Sequence, residues 1–368
     1  MRNPLHALCP YFAMFPEVFV AEHVDTHSRK GDWVFDCFSG RGTTLLESLL
    51  RSRRAAAVDV NPVAFCVSKA KAQVPELAHV LDRLDLLETA FAVMEKDALW
   101  RERSTLPAFF KRAFHHGTLL ELLFLRRVLS WRRSRVDSFI AALILGSLHG
   151  EMGKPMEYLS NQMPRTISTK PGYSLRYWRK KGLWPHRRHT FQLIRDRAEY
   201  RLGQEVPDLD GVVRLADARE SARHLPELTR RVKLVITSPP YLRVTRYEED
   251  QWLRLWFLGF PPHPTYSQIS KDDRHESEQK YWTFLTSVWA GLADLLSRGA
   301  VIVCRFGACG IPESELTRQI RKSVRTVFPH ARLICDPAIS NIRRRQTGSF
   351  RPGTEGCRVE VDYVFATS

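Results

Sequence analysis

Trp33-Val34-Phe35-Asp36-Cys37-Phe38-Ser39-Gly40-Arg41-Gly42-Thr43-Thr44-Leu45-Leu46-Glu47-Ser48-Leu49-Leu50 reads as strand, glycine-rich turn and helix in immediate succession. A short apolar run ends in an acid, glycines punctuate the turn, and an apolar-rich helical segment follows. Ala55-Ala56-Ala57-Val58-Asp59-Val60-Asn61-Pro62 is then a second strand of small residues, again ending in an acid. Strand, helix and strand in this order form a βαβ unit, which implies a parallel sheet. Further strand signals at 211–217, 232–237, 299–306 and 358–366 extend that sheet across the rest of the chain.

The turn Phe38-Ser39-Gly40-Arg41-Gly42-Thr43 has the pattern F-x-G-x-G-T. Its glycines permit a backbone path and a close ligand approach that a Cβ would block, so the loop suits a nucleoside cofactor. A dinucleotide or a merely structural turn would use similar residues. The full G-x-G-x-x-G signature is absent, because Gly42 is followed by Thr43, Thr44 and Leu45, and this disfavours NAD. Asp59 at the end of the second strand has the chemistry to accept both ribose hydroxyls of an adenosine; the plainer reading is a turn residue or helix cap before Pro62.

Ile236-Thr237-Ser238-Pro239-Pro240-Tyr241 runs a strand straight into two prolines and an aromatic. Open α/β sheets place their sites at such strand ends. Two prolines stiffen the loop, and because neither has an N–H their carbonyls can face a ligand without local competing donors. Ser238 adds an acceptor, and Tyr241 offers a flat face on which an extruded base can stack. The alternative is a strand-terminating turn.

The chain has 368 residues, enough for one catalytic domain with an inserted recognition region. No stretch of 18 or more apolar residues occurs, and the N-terminal run is broken by Pro10, Pro16, Glu17 and Glu22, so neither a membrane span nor a signal peptide is expected. Cytoplasmic residence follows as the expectation. Seven cysteines without a C-x-x-C pair lead us to expect reduced thiols and no structural zinc. His115, His116 and His149 lack a further ligand at zinc spacing, so no metal is expected.

Lys and Arg exceed Asp and Glu by 56 to 40, a formal charge of +16 that favours a polyanionic partner. Much of it is local. Between 154 and 203, four Lys and eight Arg stand against Glu157, Asp196 and Glu199, leaving +9. Here Arg165, Lys170, Arg176, Arg179, Lys180, Lys181, Arg187 and Arg188 alternate with Tyr158, Tyr173, Tyr177, Trp178 and Trp184. Cations for phosphates and aromatics for bases fit DNA binding, against the reading of a solvated surface over core aromatics. Arg343-Arg344-Arg345 reads either as a backbone-clasping loop or as surface. Apolar residues at helical spacing between 76 and 152 read as packing helices, and Trp252, Leu255, Trp256 and Phe257 as core, with Tyr247 and Glu248 near the target pocket as the alternative.

At Ser238-Pro239-Pro240-Tyr241 the sequence resembles the amino-methyltransferases of DNA, whose catalytic tetrapeptide is (Asp/Asn/Ser)-Pro-Pro-(Tyr/Phe/Trp). Other segments are similar too: Tyr11 to Pro16 to the family's N-terminal cofactor-contacting segment, Asp36 to Thr44 to its cofactor loop, Asp59 to its ribose acid, and Asp217-Ala218 to the acid at the adenine edge. Asp36-Cys37-Phe38 stands where the family has Asp-Pro-Phe. The resemblance covers 5–72 and 211–260. It implies a Rossmann-like α/β S-adenosylmethionine-dependent methyltransferase sheet with a helical, basic insertion. The implied parts are a cofactor-binding part at 1–100, an insertion for DNA recognition at 101–205 and a catalytic part at 206–368. It also implies a catalytic set of Ser238, Pro239, Pro240 and Tyr241, and a cofactor set of Tyr11, Phe15, Asp36, Phe38, Ser39, Gly40, Gly42, Thr43, Thr44, Asp59, Asn61, Asp217 and Ala218.

In that family the serine form goes chiefly with the exocyclic N4 of cytosine, so the expected reaction is direct transfer of a methyl group to that nitrogen in double-stranded DNA, on a base flipped from the helix. Carbon-5 cytosine chemistry needs a Pro-Cys nucleophile motif, and the chain has only Cys9-Pro10. Adenine-N6 methylation, an RNA base methyltransferase and a non-catalytic nucleic-acid-binding protein are the rival readings. A restriction or other defence partner is left open by the resemblance, as are recognition sequence and subunit number.

Overall fold

A computed structural model describes residues 2–11, 16–150, 158–163, 170–242, 247–264, 277–307, 310–341, 357 and 359–367, with backbone alone at 247–250. The chain divides into two compact units. One comprises 13–68, 207–245 and 269–368, and the other 1–12, 69–206 and 246–268. The first is α/β, built on an eight-stranded sheet. Its strands are β1 (Trp33–Asp36), β2 (Arg54–Asp59), β3 (Val212–Leu215), β4 (Val232–Thr237), β5 (Leu296–Gly307), β6 (Arg332–Leu333), β7 (Ala338–Asn341) and β8 (Val359–Ala366). The order is β3-β2-β1-β4-β5-β8-β6, with β7 pairing β8 off that path.

From β3 to β5 every neighbour is parallel, whereas β8 runs antiparallel between β5 and β6. The chain leaves β1 toward β2 and β3 on one side and returns as β4 and β5 on the other. The switch point of this Rossmann-like sheet therefore lies between β1 and β4, and open α/β sheets bind their ligands beyond the C-terminal strand ends at such a point. This is the expected fold class. The predicted strand at 211–217 is shorter, because Asp217 turns the chain into a short 3-10 turn and caps it.

Successive residues of the strands face opposite sides, and both sides are covered. Val34, Leu234, Ile236, Val303 and Val364 pack with Val20 and Val24 of α1 (Glu17–His27). Their alternates Phe35, Val235, Ile302 and Cys304 pack with Leu285, Val288, Trp289 and Leu292 of α13 (Glu278–Ala293) and with Leu316, Ile320 and Val324 of α14 (Glu313–Val327). The α14 trio recurs at every fourth residue, the stripe that a helix buries. Each such side chain removed from water contributes roughly 1.5–3 kcal/mol. Helix α2 (Thr43–Leu50) is buried from Thr43 to Leu49, and α3 (Pro62–Ala72) follows β2. A short α11 (Ser221–His224) completes the unit.

The other unit is helical. It contains α4 (Leu77–Val93), α5 (Asp97–Thr105), α6 (Ala108–Ala113), α7 (His116–Val128), α8 (Arg135–Ser147), α9 (Pro171–Lys180), α10 (Thr190–Leu202) and α12 (Tyr247–Phe257). Its boundaries differ from the expected division at residue 100. Helices α4, α5 and α12 pack here, α4 against α7, α8 and α10, and α5 and α12 against α7. Phe109, Phe110, Trp178, Trp252 and Trp256 form an aromatic core, with Phe110 and Trp256 ring centroids 4.5 Å apart. Trp252, Leu255, Trp256 and Phe257 are accordingly core residues; the side chains of Tyr247 and Glu248 lie outside the described residues.

His115 caps α7, accepting the Gly117 N–H at its Nδ1, and the His149 ring meets the Ser160 hydroxyl at 3.2 Å. Among the described residues, no helix is long and apolar enough to cross a membrane. Cys9, Cys37, Cys66, Cys304 and Cys335 are free thiols, but Cys357 is disulfide-bonded, contrary to the expectation of reduced cysteines throughout.

Candidate active site

The β1–β4 pairing puts the glycine-rich turn and the Ser-Pro-Pro-Tyr segment side by side at the switch point. Phe35 lies opposite Val235, and Asp36 and Thr237 are the last residues of these two adjacent strands. The Thr237 hydroxyl donates to Asp36 Oδ1 at 2.7 Å, and the Phe38 N–H donates to the same oxygen at 3.0 Å. Thr44 Oγ1 donates to the Ile236 carbonyl at 3.2 Å. Each bond joins the first loop to the second strand or stiffens the turn between them. Burial pushes the Asp36 carboxyl up to about 6, although the hydrogen bonds from Thr237, Phe38 and Thr44 favour its ionised form.

The turn is held from below and from the side. Gly42 has φ +71°, a left-handed conformation that favours glycine, and a Cβ there would come within 2.9 Å of Ser68 Oγ. The Ser68 hydroxyl donates to Ser39 Oγ at 3.0 Å. Asp59 reaches back from the end of β2: its Oδ2 accepts the Gly40 N–H at 2.9 Å and its Oδ1 accepts the Asn61 N–H at 2.9 Å. Its first role is thus to fix the loop. A carboxylate oxygen can accept two hydrogen bonds, so bracing the loop is compatible with receiving ribose hydroxyls. Asp217, at the end of β3, accepts the backbone N–H of Arg219 at 2.9 Å and pairs with its guanidinium at 2.8 Å. That guanidinium lies over the Phe284 ring, which is 6.2 Å from the Phe38 ring. Asp36, Asp59 and Asp217 therefore stand at or just beyond three consecutive strand ends, with Asp217 ion-paired to Arg219.

In the second loop the Ser238 hydroxyl donates to the Arg305 carbonyl at 3.2 Å. The Tyr241 hydroxyl lies farther from Ser238 Oγ, at 3.5 Å, so the shorter bond takes the one proton and the hydroxyl oxygen keeps its capacity to accept. The Pro240 carbonyl accepts the Tyr281 hydroxyl at 3.0 Å, while the Pro239 carbonyl accepts from no described residue. Tyr241 differs from the expected open stacking face. It is 8% exposed, its hydroxyl donates to Glu360 Oε1 at 2.8 Å, and its ring edge lies so close to Gly307 that a Cβ there would approach to 2.4 Å. The ring is fixed at both ends rather than free to swing.

Of the implied cofactor set, Asp36, Phe38, Ser39, Gly40, Gly42, Thr43, Thr44, Asp59, Asn61, Asp217 and Ala218 all belong to the sheet unit. Tyr11 is a buried residue of the helical unit, and Phe15 lies outside the described residues. Thr237, Ser68, Arg305, Glu360 and Asp362 were not anticipated as site residues. The signal for the last two was present: Glu360 and Asp362 are charges two apart on one face of an otherwise apolar strand.

The basic segment divides. Arg187 pairs with buried Glu121, its Nη1 at 3.1 Å from Oε2, and the Arg188 N–H donates to Thr118, so Arg187 is structural rather than a free phosphate ligand. Trp178 is fully buried and donates its indole N–H to the Gln162 carbonyl at 2.9 Å, which removes it from the aromatic set for bases. Lys170, Arg176, Arg179, Lys180 and Lys181 are exposed, with Tyr173 and Trp184 54% and 67% exposed beside them. The Arg112 guanidinium lies 3.5 Å from the Trp184 ring centroid. Arg165 and Arg343 to Arg345 lie outside the described residues.

Residues 3–69 match a family model described as DNA methylase. No curated protein sequence matches the chain. Among solved structures, the rRNA methyltransferase aviRa from Streptomyces viridochromogenes is 13% identical, with 99% of this chain and 92% of that one covered at a TM-score of 0.37. TrmN from Thermus thermophilus is 10% identical over 99% of this chain and 52% of that one, TM-score 0.36. M. jannaschii TYW2 in complex with AdoMet is 10% identical over 96% and 78%, TM-score 0.32.

Proposed function

We propose that this protein is an S-adenosylmethionine-dependent methyltransferase that methylates the exocyclic N4 amino group of cytosine in DNA. One observation carries the reading: β1 and β4 are adjacent parallel strands, and Thr237 at the end of β4 donates to Asp36 at the end of β1, tying the nucleoside-type loop to the Ser-Pro-Pro-Tyr loop. The DNA methylase match over 3–69 supports the first of these loops independently. When bound, S-adenosylmethionine supplies an electrophilic methyl group on a sulfonium. Asp59 and the Gly40–Gly42 turn would hold its ribose, and Asp217 and Ala218 its adenine.

The exocyclic amine of cytosine is a weak nucleophile, because its lone pair is delocalised into the ring. Ser238, its proton given to the Arg305 carbonyl, accepts one amine hydrogen; the Pro239 carbonyl accepts the other. Two fixed acceptors orient the nitrogen and stabilise the positive charge that develops on it. Tyr241 supplies a rigid wall for the base, and no covalent intermediate is needed. The exposed cations of α9, with Tyr173 and Trp184, provide a phosphate and stacking surface for DNA.

Labelled methyl transfer to duplex DNA and to RNA, side by side, tests the substrate class. Incorporation into DNA is expected. Incorporation into RNA alone would replace DNA by RNA in the reading, and incorporation into neither would end it.

A further inference from the structure

We infer that Glu360 is a positioning residue that holds Tyr241, and through it the catalytic loop, in working geometry; this rests on the function proposed above. The antiparallel β8 lies beside β5 with Glu360 opposite Gly307 and Asp362 opposite Arg305. Because Gly307 has no side chain, the Tyr241 ring fits against the strand there and its hydroxyl reaches Glu360 Oε1 at 2.8 Å. The other carboxylate oxygen, Oε2, lies 3.5 Å from Arg305 Nη1. Arg305 is itself fixed by Asp362, with Nε to Oδ1 at 2.6 Å and Nη2 to Oδ2 at 2.7 Å.

Arg305 thereby supports the loop at two points, once directly and once through Glu360. Its carbonyl accepts the Ser238 hydroxyl, and its guanidinium steadies the carboxylate that takes the Tyr241 hydroxyl. Ser238 and Tyr241, first and last of the tetrapeptide, are thus referred to one residue of β5. A phenol that donates to a carboxylate also carries more electron density in its ring, which favours a neighbouring positive charge such as the one formed during transfer. Glu360 lies 119 residues from Tyr241 in sequence and contributes no atom to the reacting groups.

The test is a double-mutant cycle of Glu360→Ala and Tyr241→Phe, with Glu360→Gln as the conservative variant, read by single-turnover methyl transfer and by equilibrium cofactor binding. Each single variant is expected to slow transfer about tenfold, the loss of one hydrogen bond of ordinary strength, with cofactor affinity unchanged. The double variant is expected to lose less than the two single losses combined, because the Tyr241–Glu360 bond is common to both. Glu360→Gln, which keeps an acceptor oxygen at the same reach, is expected to recover most of the rate. A role confined to holding the fold would instead show equal losses in rate and cofactor affinity, and would overturn the inference. So would additive losses in the double variant, or variants at the parent rate. A parent that transfers no methyl group would overturn the proposed function and this inference with it, so the two failures are told apart by the parent alone.

Discussion

The loop edge of the sheet unit and the basic segment of the helical unit both look rich in functional residues, yet they use polar side chains in opposite ways. At the sheet edge nearly every polar group is bound to a neighbour: Asp36 to Thr237 and Phe38, Asp59 to Gly40 and Asn61, Ser238 to Arg305, Tyr241 to Glu360. Those bonds aim the remaining lone pairs. In the basic segment, the residues bound to neighbours drop out of the proposed DNA surface, as Arg187 does with Glu121 and as Arg195 does with Asp85 and Glu88. Among the described Lys and Arg residues of the segment, Lys170, Arg176, Arg179, Lys180 and Lys181 stay exposed and form no ion pair with a described residue. Preorganisation makes a catalytic group, whereas freedom from a partner makes a phosphate ligand.

The sharpest separation of the two regions comes from Ser238→Ala. Losing one oriented acceptor in a dry site is worth roughly 2–4 kcal/mol in the transition state, a rate loss on the order of 30- to 1,000-fold. Single-turnover transfer should show it while DNA affinity persists, and a parent rate would return Ser238 to the role of a turn residue.

Arg187→Ala gives the opposite pattern. It leaves Glu121, 4% exposed, as an unpaired buried charge. Breaking such a pair should cost about 2–3 kcal/mol of stability, less than for a fully buried pair because Arg187 is partly exposed. Chemical denaturation should find a destabilised protein whose DNA salt dependence matches the parent; a changed slope with intact stability would make Arg187 a phosphate ligand after all.

Asp36 tests how much stability the sheet edge gives up for its aim. Its carboxyl is raised from 3.8 to about 6. Between those values the folded state keeps a proton that the unfolded chain releases, so stability should fall as pH rises through that window and level off above about 6. The expected cost is about 2–3 kcal/mol, and Asp36→Asn should remove the slope. Parallel pH–stability curves for the two proteins would contradict it.

How much of this was readable follows the range of the interactions. The strands β1, β2 and β4 and both loops declare themselves within a few residues, because strand period, glycine punctuation and Pro-Pro are local signals. What depends on distant partners was hidden. Glu121 lies 66 residues from Arg187, and β7, exposed at all four residues, exists only through pairing with β8. Helical spacing announced a core around Trp252 and Trp256 without saying which core it joins. The division at 68/69 leaves no mark either, since α3 runs through it without a proline or glycine after Pro62.

Smaller effects refine the comparison. Asp59→Ala removes the acceptor of Gly40 and Asn61 and the expected ribose ligand together, and should weaken S-adenosylmethionine binding at least about tenfold, or 1.4 kcal/mol. Calorimetric titration measures it; unchanged affinity would remove the cofactor assignment from this loop. Neutralising Arg179, Lys180 and Lys181 together should flatten the salt dependence of DNA binding by about 2–3 in logarithmic slope and leave cofactor affinity as it was. A slope equal to the parent's would move the DNA surface elsewhere.

The most direct test of the central claim is the identity of the methylated nucleoside. Duplex DNA incubated with the parent protein and labelled S-adenosylmethionine, digested to nucleosides and resolved by mass and retention, is expected to yield N4-methylcytosine. N6-methyladenine would contradict the choice of base, 5-methylcytosine would contradict direct transfer to an amine, and unlabelled DNA would contradict the assignment of the β1–β4 edge as a DNA methyltransferase site.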